Sequence, residues 1–191
     1  MTKIILASQS PRRAELLATI GVRFETQPGY IDESVNAGES PADYIMRISR
    51  AKALEVARHN EAGLIIAADT IVVVDDQILG KPVDEEDARR MLRELSWRWH
   101  QVMTAITLID AATGREASDY TITRVRFAEM REPEINWYVS TGEPLDKAGA
   151  YGIQGKGGLF VEEIVGNYHN VVGMPLPLLY KLVAEMGYSL I

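Results

Sequence analysis

The sequence predicts an α/β protein with a mixed central β-sheet flanked by helices. Two kinds of segment alternate along its 191 residues. Short, continuous apolar runs such as residues 64–68 are typical of strands buried on both faces, and longer segments with apolar residues three and four apart are typical of helices. A hairpin is predicted over residues 100–126, because two strand-like runs there flank a turn signal. This combination predicts helices packed on a central mixed sheet.

Helix signals organise the first part of the chain. Pro11 fits the first helical position because its missing N–H needs no partner there, Ser10 is a suitable N-cap, and Gly21 supplies a left-handed stop. A second helix opens at Pro41, directly after Ser40. The predicted elements up to residue 60 are strand 3–7, helix 11–20, strand 22–27 and helix 41–60.

Strand and turn signals organise the remainder. Residues 64–68 are expected to form a buried strand that ends at Asp69 and resumes at residue 71, and a turn is expected at residues 75–76. The turn of the hairpin lies at residues 110–114. The further predicted elements are strand 71–74, strand 78–82, a helix from residue 84, the two hairpin strands, helix 132–140, strand 159–165 and helix 175–186.

Residues 142–158 contain six glycines, too many for a regular helix or strand. Such a density is found where backbone passes close to a ligand, and also in flexible surface linkers. The apolar residues of this segment, among them Leu145, Tyr151 and Ile153, are unlike a linker of serine and glycine. We therefore interpret the segment as an ordered functional loop.

The composition argues against several classes of protein. Hydrophobic residues make up 47% of the chain, which suits one or two compact lobes with a real core. The formal net charge of −7 argues against a nucleic acid polymer or an anionic membrane as partner. The absence of cysteine excludes disulfides, thiolate catalysis and cysteine metal sites. The sequence has neither a leader pattern nor an apolar run of about 18 residues, so we expect a cytoplasmic protein.

Residues 8–13 read Ser-Gln-Ser-Pro-Arg-Arg and join a predicted strand to the start of a predicted helix. Backbone N–H groups at a helix N-terminus favour an oxyanion, and the guanidinium groups of Arg12 and Arg13 can bind phosphate oxygens in bidentate fashion. The alternative is a capped helix whose arginines are solvated, since caps are commoner than phosphate sites. The segment is therefore a candidate anion site that needs support from the rest of the chain.

Asp69 is the sharpest candidate for catalysis. A carboxylate at the end of a buried apolar strand is unfavourable unless it is paired or used, and α/β sheets present ligand-binding groups at the carboxyl ends of their strands. It can act as a general base or a metal ligand, or it can cap the following turn. The other charged candidates suit a polyphosphate with its divalent cation when taken together, although each alone is more often solvated. They are Arg12, Arg13, Lys52, Lys81, Asp32 and Glu33.

No motif supports the other common classes of site. The chain has no Walker-type lysine loop, no dinucleotide glycine fingerprint, no nucleophile elbow and no HExxH helix. His59 at a helix end, His100 at a strand start and His169 in a loop lack ligand spacing, so we interpret all three as structural. Trp97 and Trp99 form either a stacking surface for a base or, as is more common, a packed connection.

Taken together, these segments resemble the Maf family of nucleoside triphosphate pyrophosphatases over nearly the whole chain. The matching segments are SQSPRR (8–13), the acidic loop with Asp32 and Glu33, Arg50-Ala-Lys52, AADTIV (67–72), GKP (80–82), HQVMTAI (100–106), EPLDKAGAYGIQG (143–155) and NVVGMPL (170–176). Arg12, Thr70 and Gln154 are similar to the version of the family that is associated with dTTP and UTP hydrolysis. The related 7-methyl-GTP pyrophosphatases differ at these positions.

The resemblance implies a single domain over residues 1–191 with a fold like that of the inosine triphosphate pyrophosphatases, in which two lobes of a mixed sheet enclose a cleft. It implies cleavage between the α- and β-phosphates of a nucleoside triphosphate, with Mg²⁺ or Mn²⁺ as the cofactor. It also implies a homodimer. The resemblance leaves two alternatives open, a nucleotide-binding regulator of cell division and a pyrophosphatase with another base preference.

The resemblance also assigns roles to individual residues. Asp69 matches the family's proton acceptor, and Glu33 and Asp69 are expected to hold the metal ion. The residues expected to bind the triphosphate are Ser8, Arg13, Lys52 and Lys81. Those expected to select the base are Arg12, Thr70 and Gln154. A glutamine amide offers both a donor and an acceptor, which can match the O4/N3 edge that uracil and thymine share.

One position departs from the family pattern. The family usually has a glycine after the Leu-Ser that ends the third helix, whereas this chain has Trp97. If that glycine stops the helix in a left-handed conformation, a tryptophan there costs about 1 kcal/mol or more. We therefore expect the backbone to turn differently at this position.

Overall fold

The computed structural model describes residues 2–190, within which seven strands form one mixed sheet. The hydrogen-bonded order is β2-β1-β3-β5-β6-β7, and β4 pairs with β3 off this path. The strands are β1 (Ile4–Leu6), β2 (Glu25–Thr26), β3 (Leu64–Val74), β4 (Gln77–Leu79), β5 (Trp99–Asp110), β6 (Glu116–Phe127) and β7 (Val161–Val165). The helices are α1 (Pro11–Thr19), α2 (Pro41–Ala57), α3 (Glu85–Leu95), α4 (Glu132–Ser140), α5 (Tyr168–Val172) and α6 (Leu176–Glu185).

The pairing of the strands confirms the predicted mixed sheet. β1 runs parallel to both β2 and β3. The far end of β3 pairs antiparallel with β4, and β6 pairs antiparallel with β7. The α/β class with helices between the strands is also as predicted.

β3 differs from the prediction, because it continues through Asp69 without a break. Its parallel pairing with β1 covers residues 64–66, and its antiparallel pairing with β4 covers residues 72–74. Asp69 and Thr70 lie between these two paired stretches. The expectation that the strand ends at Asp69 is therefore wrong: the strand changes partners around this point while its backbone stays extended, with apolar residues buried on either side.

The helix starts follow the predicted cap signals with one exception. Ser40 caps α2 by accepting a hydrogen bond from the Asp43 amide. Ser10 occupies the N-cap position of α1, but its side chain makes no capping hydrogen bond. The Ser10 amide instead donates to the hydroxyl of Ser8 at 3.2 Å. The serine hydroxyl that binds a backbone amide at this helix start is thus that of Ser8, and not that of the predicted N-cap Ser10.

The chain forms two compact units. The first comprises the chain up to Asp69, residues 104–121 and the chain from Gly173 onward, and the second comprises residues 70–103 and 122–172. The first unit contains an apolar cluster of β1, α2 and β3 side chains, including Ile5, Ala53 and Ile65. The second contains a cluster from α3, α4 and the neighbouring strands.

The glycine-rich segment is ordered, as interpreted from its apolar residues. It folds into three short 3₁₀ turns, Glu143–Asp146, Ala148–Ala150 and Lys156–Phe160. His169 lies in α5 and not in a loop, which corrects the prediction. Within residues 2–190, every helix is too short or too polar to cross a lipid bilayer.

Candidate functional site

Lys52 joins two carboxylates in the first unit. Its Nζ lies 2.7 Å from an oxygen of Glu33 and 2.5 Å from an oxygen of Asp69. The side chains of Lys52 and Asp69 are each only 12% exposed, whereas that of Glu33 is 50% exposed. One ammonium thus balances two carboxylates, with Lys52 and Asp69 largely buried and Glu33 reaching the solvent side.

Asp69 owes its position to the change of strand partners. β1 ends at Leu6, and its parallel pairing with β3 ends at Ile66, so Asp69 lies beyond the carboxyl end of that parallel pair. Ser8 follows the end of β1 on the neighbouring strand. Functional groups of α/β sheets collect at this edge, because parallel strands end there side by side. Asp69 thus lies at the carboxyl end of the β1–β3 pairing, as the sequence predicts, although β3 itself continues.

Ser8 and Arg13 form the second part of the site. The Arg13 guanidinium donates to the Ser8 hydroxyl at 3.1 Å and to the Gly173 carbonyl oxygen at 2.9 Å. These two contacts hold the guanidinium beside the N-terminus of α1, where backbone N–H groups favour an anion. Arg13 is therefore not a solvated side chain, whereas anion binding by residues 8–13 stays a prediction.

Electrostatic interactions connect the two parts. Burial lowers the pKa of the Arg13 guanidinium, and the Asp69 and Glu33 carboxylates oppose this effect, whereas Arg12 adds to it. Burial also raises the pKa of Tyr44 to about 12, with a further contribution from the same two carboxylates. The carboxylates that contact Lys52 therefore also act on the Arg13 guanidinium, which connects the two parts of the site electrostatically.

Tyr44 and Gly29 position the acidic loop, and both were missed by the sequence analysis as functional residues. The Tyr44 hydroxyl donates to the backbone oxygen of Glu33 at 2.9 Å. A Cβ on Gly29 would lie 2.6 Å from the carbonyl oxygen of Lys52, so only glycine lets the loop approach α2 this closely. Tyr44 looked like a core residue because of its helical spacing. Gly29 could have been noticed as a glycine just before an acidic pair.

Asp32 makes a local contact and not a contact with Lys52. It is exposed and accepts a hydrogen bond from the Ser34 amide at 2.9 Å, which is a local turn contact. This hydrogen bond is the main cause that lowers the pKa of Asp32. Of the two neighbouring carboxylates, it is Glu33 that contacts Lys52.

Three predicted site residues belong to the second unit, and Gly149 connects the segments that carry them. Its amide donates to the carbonyl oxygen of Gly80, the residue before Lys81. A Cβ on Gly149 would lie 2.7 Å from a methyl group of Val72, and its φ of +65° also favours glycine. The predicted residues of this unit are Thr70, which is partly buried, and Lys81 and Gln154, which are exposed.

The oxygen donors of the first unit suit a hard divalent cation. Mg²⁺ is usually held by one or two carboxylates together with substrate phosphates, and it does not need a complete cage of protein ligands. Glu33 and Asp69 provide two such carboxylates, each within hydrogen-bond distance of the same ammonium. Among residues 2–190 no group of three or more histidine, cysteine, aspartate or glutamate side chains is arranged to hold a metal ion. The donor set therefore fits a cation that is bound together with phosphate.

The two tryptophans each lie against an arginine. The Arg126 guanidinium lies 5.6 Å from the Trp97 ring centre, and that of Arg124 lies 4.6 Å from the Trp99 ring centre. Trp97 has a φ of +59°, so this residue itself adopts the left-handed conformation. The expectation that the backbone turns differently at Trp97 is therefore wrong.

Two of the three histidines make contacts outside the Lys52 cluster. His100 is buried and forms a 2.8 Å hydrogen bond with the Tyr151 hydroxyl. His59 is exposed, lies just after the end of α2 and contacts Glu55 of that helix. The side chains that contact Lys52 are those of Glu33 and Asp69, and not a histidine.

A model of the family described as Maf-like protein matches residues 3–186. The chain belongs to the Maf family. Among its Maf relatives, the dTTP/UTP pyrophosphatase of Anaeromyxobacter dehalogenans (strain 2CP-1) is 50% identical, with 98% of this chain and 96% of the relative covered. The dTTP/UTP pyrophosphatase of Carboxydothermus hydrogenoformans is also 50% identical, over 97% of this chain and all of the relative. The family predicted from the motifs is thereby confirmed.

A solved structure extends the Maf comparison to the fold. The Ham1 protein of Staphylococcus aureus superposes with a TM-score of 0.54 and covers 96% of this chain and 99% of its own. Only 14% of the aligned residues are identical, so this likeness concerns the fold alone. It agrees with the predicted mixed-sheet α/β architecture of this Maf chain.

Proposed function

We propose that this Maf protein hydrolyses dTTP and UTP to the nucleoside monophosphate and pyrophosphate. The observation that carries the proposal is the Lys52 ammonium, which contacts both Glu33 and Asp69, two carboxylates that also interact electrostatically with the Arg13 guanidinium. Relatives of the same length that are about half identical bear the name dTTP/UTP pyrophosphatase, which supports this substrate class.

Asp69 is the proposed proton acceptor. It orients a water molecule and takes up the proton that this water loses as its oxygen attacks the triphosphate and the α–β anhydride bond breaks. Lys52 keeps the Asp69 carboxylate in place through their 2.5 Å contact. Arg13 and Lys81 then offset the negative charge that accumulates on the departing pyrophosphate.

Glu33 and Asp69 would hold the divalent cation, Mg²⁺ or Mn²⁺, together with phosphate oxygens of the substrate. Such a cation supplies charge neutralisation and orientation of the phosphates. Because Lys52 contacts the same two carboxylates, its Nζ has to share them with the cation. We therefore expect activity to disappear with EDTA and to return with added Mg²⁺ or Mn²⁺.

Arg12, Thr70 and Gln154 are proposed to select the base. The exposed Gln154 amide can donate and accept at the same time, as the pyrimidine O4/N3 edge requires. In a Gln154→Glu variant the donor is lost and a negative charge replaces it. We expect this variant to bind dTTP and UTP more weakly relative to purine nucleotides. An unaltered substrate profile would speak against this role.

The decisive experiment measures pyrophosphate release from canonical and modified nucleoside triphosphates by the wild type, Asp69→Asn and Asp119→Asn. Asp119 is the control, because it is a half-exposed carboxylate that contacts Lys181. We expect cleavage of dTTP and UTP that falls about 100-fold or more in Asp69→Asn and stays unchanged in the control. Undiminished turnover in Asp69→Asn removes this residue from the mechanism. Nucleotide binding without any turnover by the wild type would indicate a binding regulator instead.

The proposal includes a homodimer in the cytoplasm as the working form. Both assignments stay predictions. Light scattering of the purified protein tests the first, and fractionation of cells that produce it tests the second.

A further inference from the structure

The Glu143 carboxylate lies at the centre of the glycine-rich segment and accepts three hydrogen bonds. They come from the Tyr138 hydroxyl at 2.8 Å, the Lys156 amide at 2.9 Å and the Gly157 amide at 3.1 Å. Burial works against the charge of this carboxylate, but the two amides, the Tyr138 hydroxyl and the Lys147 ammonium together keep the pKa of Glu143 below its ordinary value. The group is thus held as a charged acceptor inside the loop.

Tyr138 extends this contact to the other side of the loop. Its hydroxyl donates to Glu143 and also accepts a hydrogen bond from the Gly152 amide at 3.1 Å. The Tyr138 side chain is fully buried in α4. The pair Tyr138–Glu143 therefore fastens the backbone at Gly152 and again at Lys156, on both sides of Gln154.

Two glycines of this segment lie directly against the same pair, and a third lies against Lys147. A Cβ on Gly155 would lie 2.5 Å from both carboxylate oxygens of Glu143. A Cβ on Gly157 would lie 2.5 Å from the Tyr138 hydroxyl, and one on Gly152 would lie 2.6 Å from the side chain of Lys147. These separations are shorter than any normal contact, so the backbone can close on the carboxylate only where no side chains intervene.

We propose that Glu143 is a positioning residue for base selection, which fixes the backbone of residues 152–157 so that Gln154 presents its amide in one orientation. The inference rests on the proposed function, because it assumes that Gln154 contacts the base. Gln154 itself is exposed, and its neighbours on both sides are fastened to the Tyr138–Glu143 pair. A residue held in this way loses little further freedom when it binds the base, so its hydrogen bonds discriminate well.

The test compares Glu143→Gln with Glu162→Gln. The first change keeps the size of the side chain but turns one acceptor oxygen into a donor that faces backbone N–H groups. Glu162 is a matched control, because it is a half-exposed carboxylate of the same unit that contacts Arg126. We expect the ratio of kcat/KM for dTTP to that for dGTP to fall about tenfold in Glu143→Gln, mainly through a higher KM for dTTP. The control should keep the wild-type ratio and kcat.

Gly155→Ala provides a second variant that leaves Glu143 intact. Its new methyl group would press on the carboxylate and displace the loop, so the same loss of selectivity is expected. This variant decides the question if Glu143→Gln does not fold. A thermal unfolding curve of each variant shows which of them are folded.

Two results would overturn the inference. One is a dTTP-to-dGTP ratio within about twofold of wild type in a folded variant. The other is an equal loss of kcat for both nucleotides, which would indicate damage to the chemical step and not to base selection. If the wild type cleaves neither nucleotide, the proposed function fails. The same ratio is then measured as Kd values for dTTP and dGTP by calorimetry, so the inference is still tested separately.

Discussion

Gly29 lies so close to Lys52 that a Cβ at position 29 would be only 2.6 Å from the carbonyl oxygen of the lysine. This approach brings the acidic loop against α2, where Glu33 reaches the Lys52 ammonium. The Tyr44 hydroxyl then holds the backbone of Glu33. The geometry of the charged cluster thus depends on a glycine that takes no part in the chemistry.

We expect Gly29→Ala to displace the acidic loop and to reduce kcat/KM for dTTP by about tenfold or more, because small displacements of catalytic groups are costly. Gly21→Ala is the control. Gly21 has a φ of +77° but no atom within 4 Å of its Cβ position, so this change strains the backbone without moving the site. It should lower the unfolding midpoint and leave kcat/KM unchanged. Equal activities of the two variants would contradict the role of Gly29.

Lys52→Met should lower both activity and stability. The change leaves Glu33 and Asp69 facing each other without their shared cation, in a site where two of the three side chains are largely buried. We expect the free energy of unfolding to fall by about 1–3 kcal/mol, as measured by urea denaturation at pH 7.5. The exposed Lys181, which contacts Asp119, is the control, and Lys181→Met should cost less than about 0.5 kcal/mol. Similar losses in both variants would disprove the special role of Lys52.

His100 should make the fold sensitive to acid. Burial lowers the pKa of His100 from 6.5 to about 3. Below pH 6.5, His100 therefore binds a proton in the unfolded chain but stays neutral in the folded chain. The free energy of unfolding falls as the pH drops from 6.5 toward 3. This group alone should reduce the free energy of unfolding by about 2 kcal/mol between pH 8 and pH 5.

The comparison for this prediction is between wild type, His100→Leu and His59→Leu, each denatured with urea at pH 8 and pH 5. His100→Leu should lose less stability between the two pH values, even if it is less stable at pH 8 because the Tyr151 hydroxyl has lost its partner. His59 is exposed, so its variant should keep the wild-type dependence. An unchanged dependence in His100→Leu would rule out this residue as the cause.

Trp97 combines a strained backbone with a favourable ring contact. Trp97→Ala removes the contact with Arg126 but keeps a side chain in the left-handed conformation, whereas Trp97→Gly also relieves the strain. We therefore expect the glycine variant to be more stable than the alanine variant by about 1 kcal/mol in thermal or urea unfolding. Both should hydrolyse nucleotides like the wild type. An alanine variant as stable as the glycine variant would show that the position carries no strain.

Local signals predicted those features that depend on neighbours in the chain. Ser40 and Pro41 marked the start of α2, and the turn at residues 75–76 has the positive φ values that its aspartates tolerate. The interruption of β3 at Asp69 was mispredicted, because a charged residue in an apolar run looks like an end. The strand stays extended there, where it exchanges β1 for β4 as a partner and where β5 is its other neighbour in the sheet.

The sequence by itself determined the α/β class, the family and the identity of the charged residues, because these follow from periodicity and from motifs of adjacent residues. Tertiary structure decided which of these residues meet. Nothing in the spacing of Glu33, Lys52 and Asp69 indicates that one ammonium serves both carboxylates. Likewise, the Glu143 carboxylate reaches the Lys156 amide only because the chain folds back over it. Such contacts depend on the direction of whole elements and on missing side chains at glycines, which local sequence patterns do not specify.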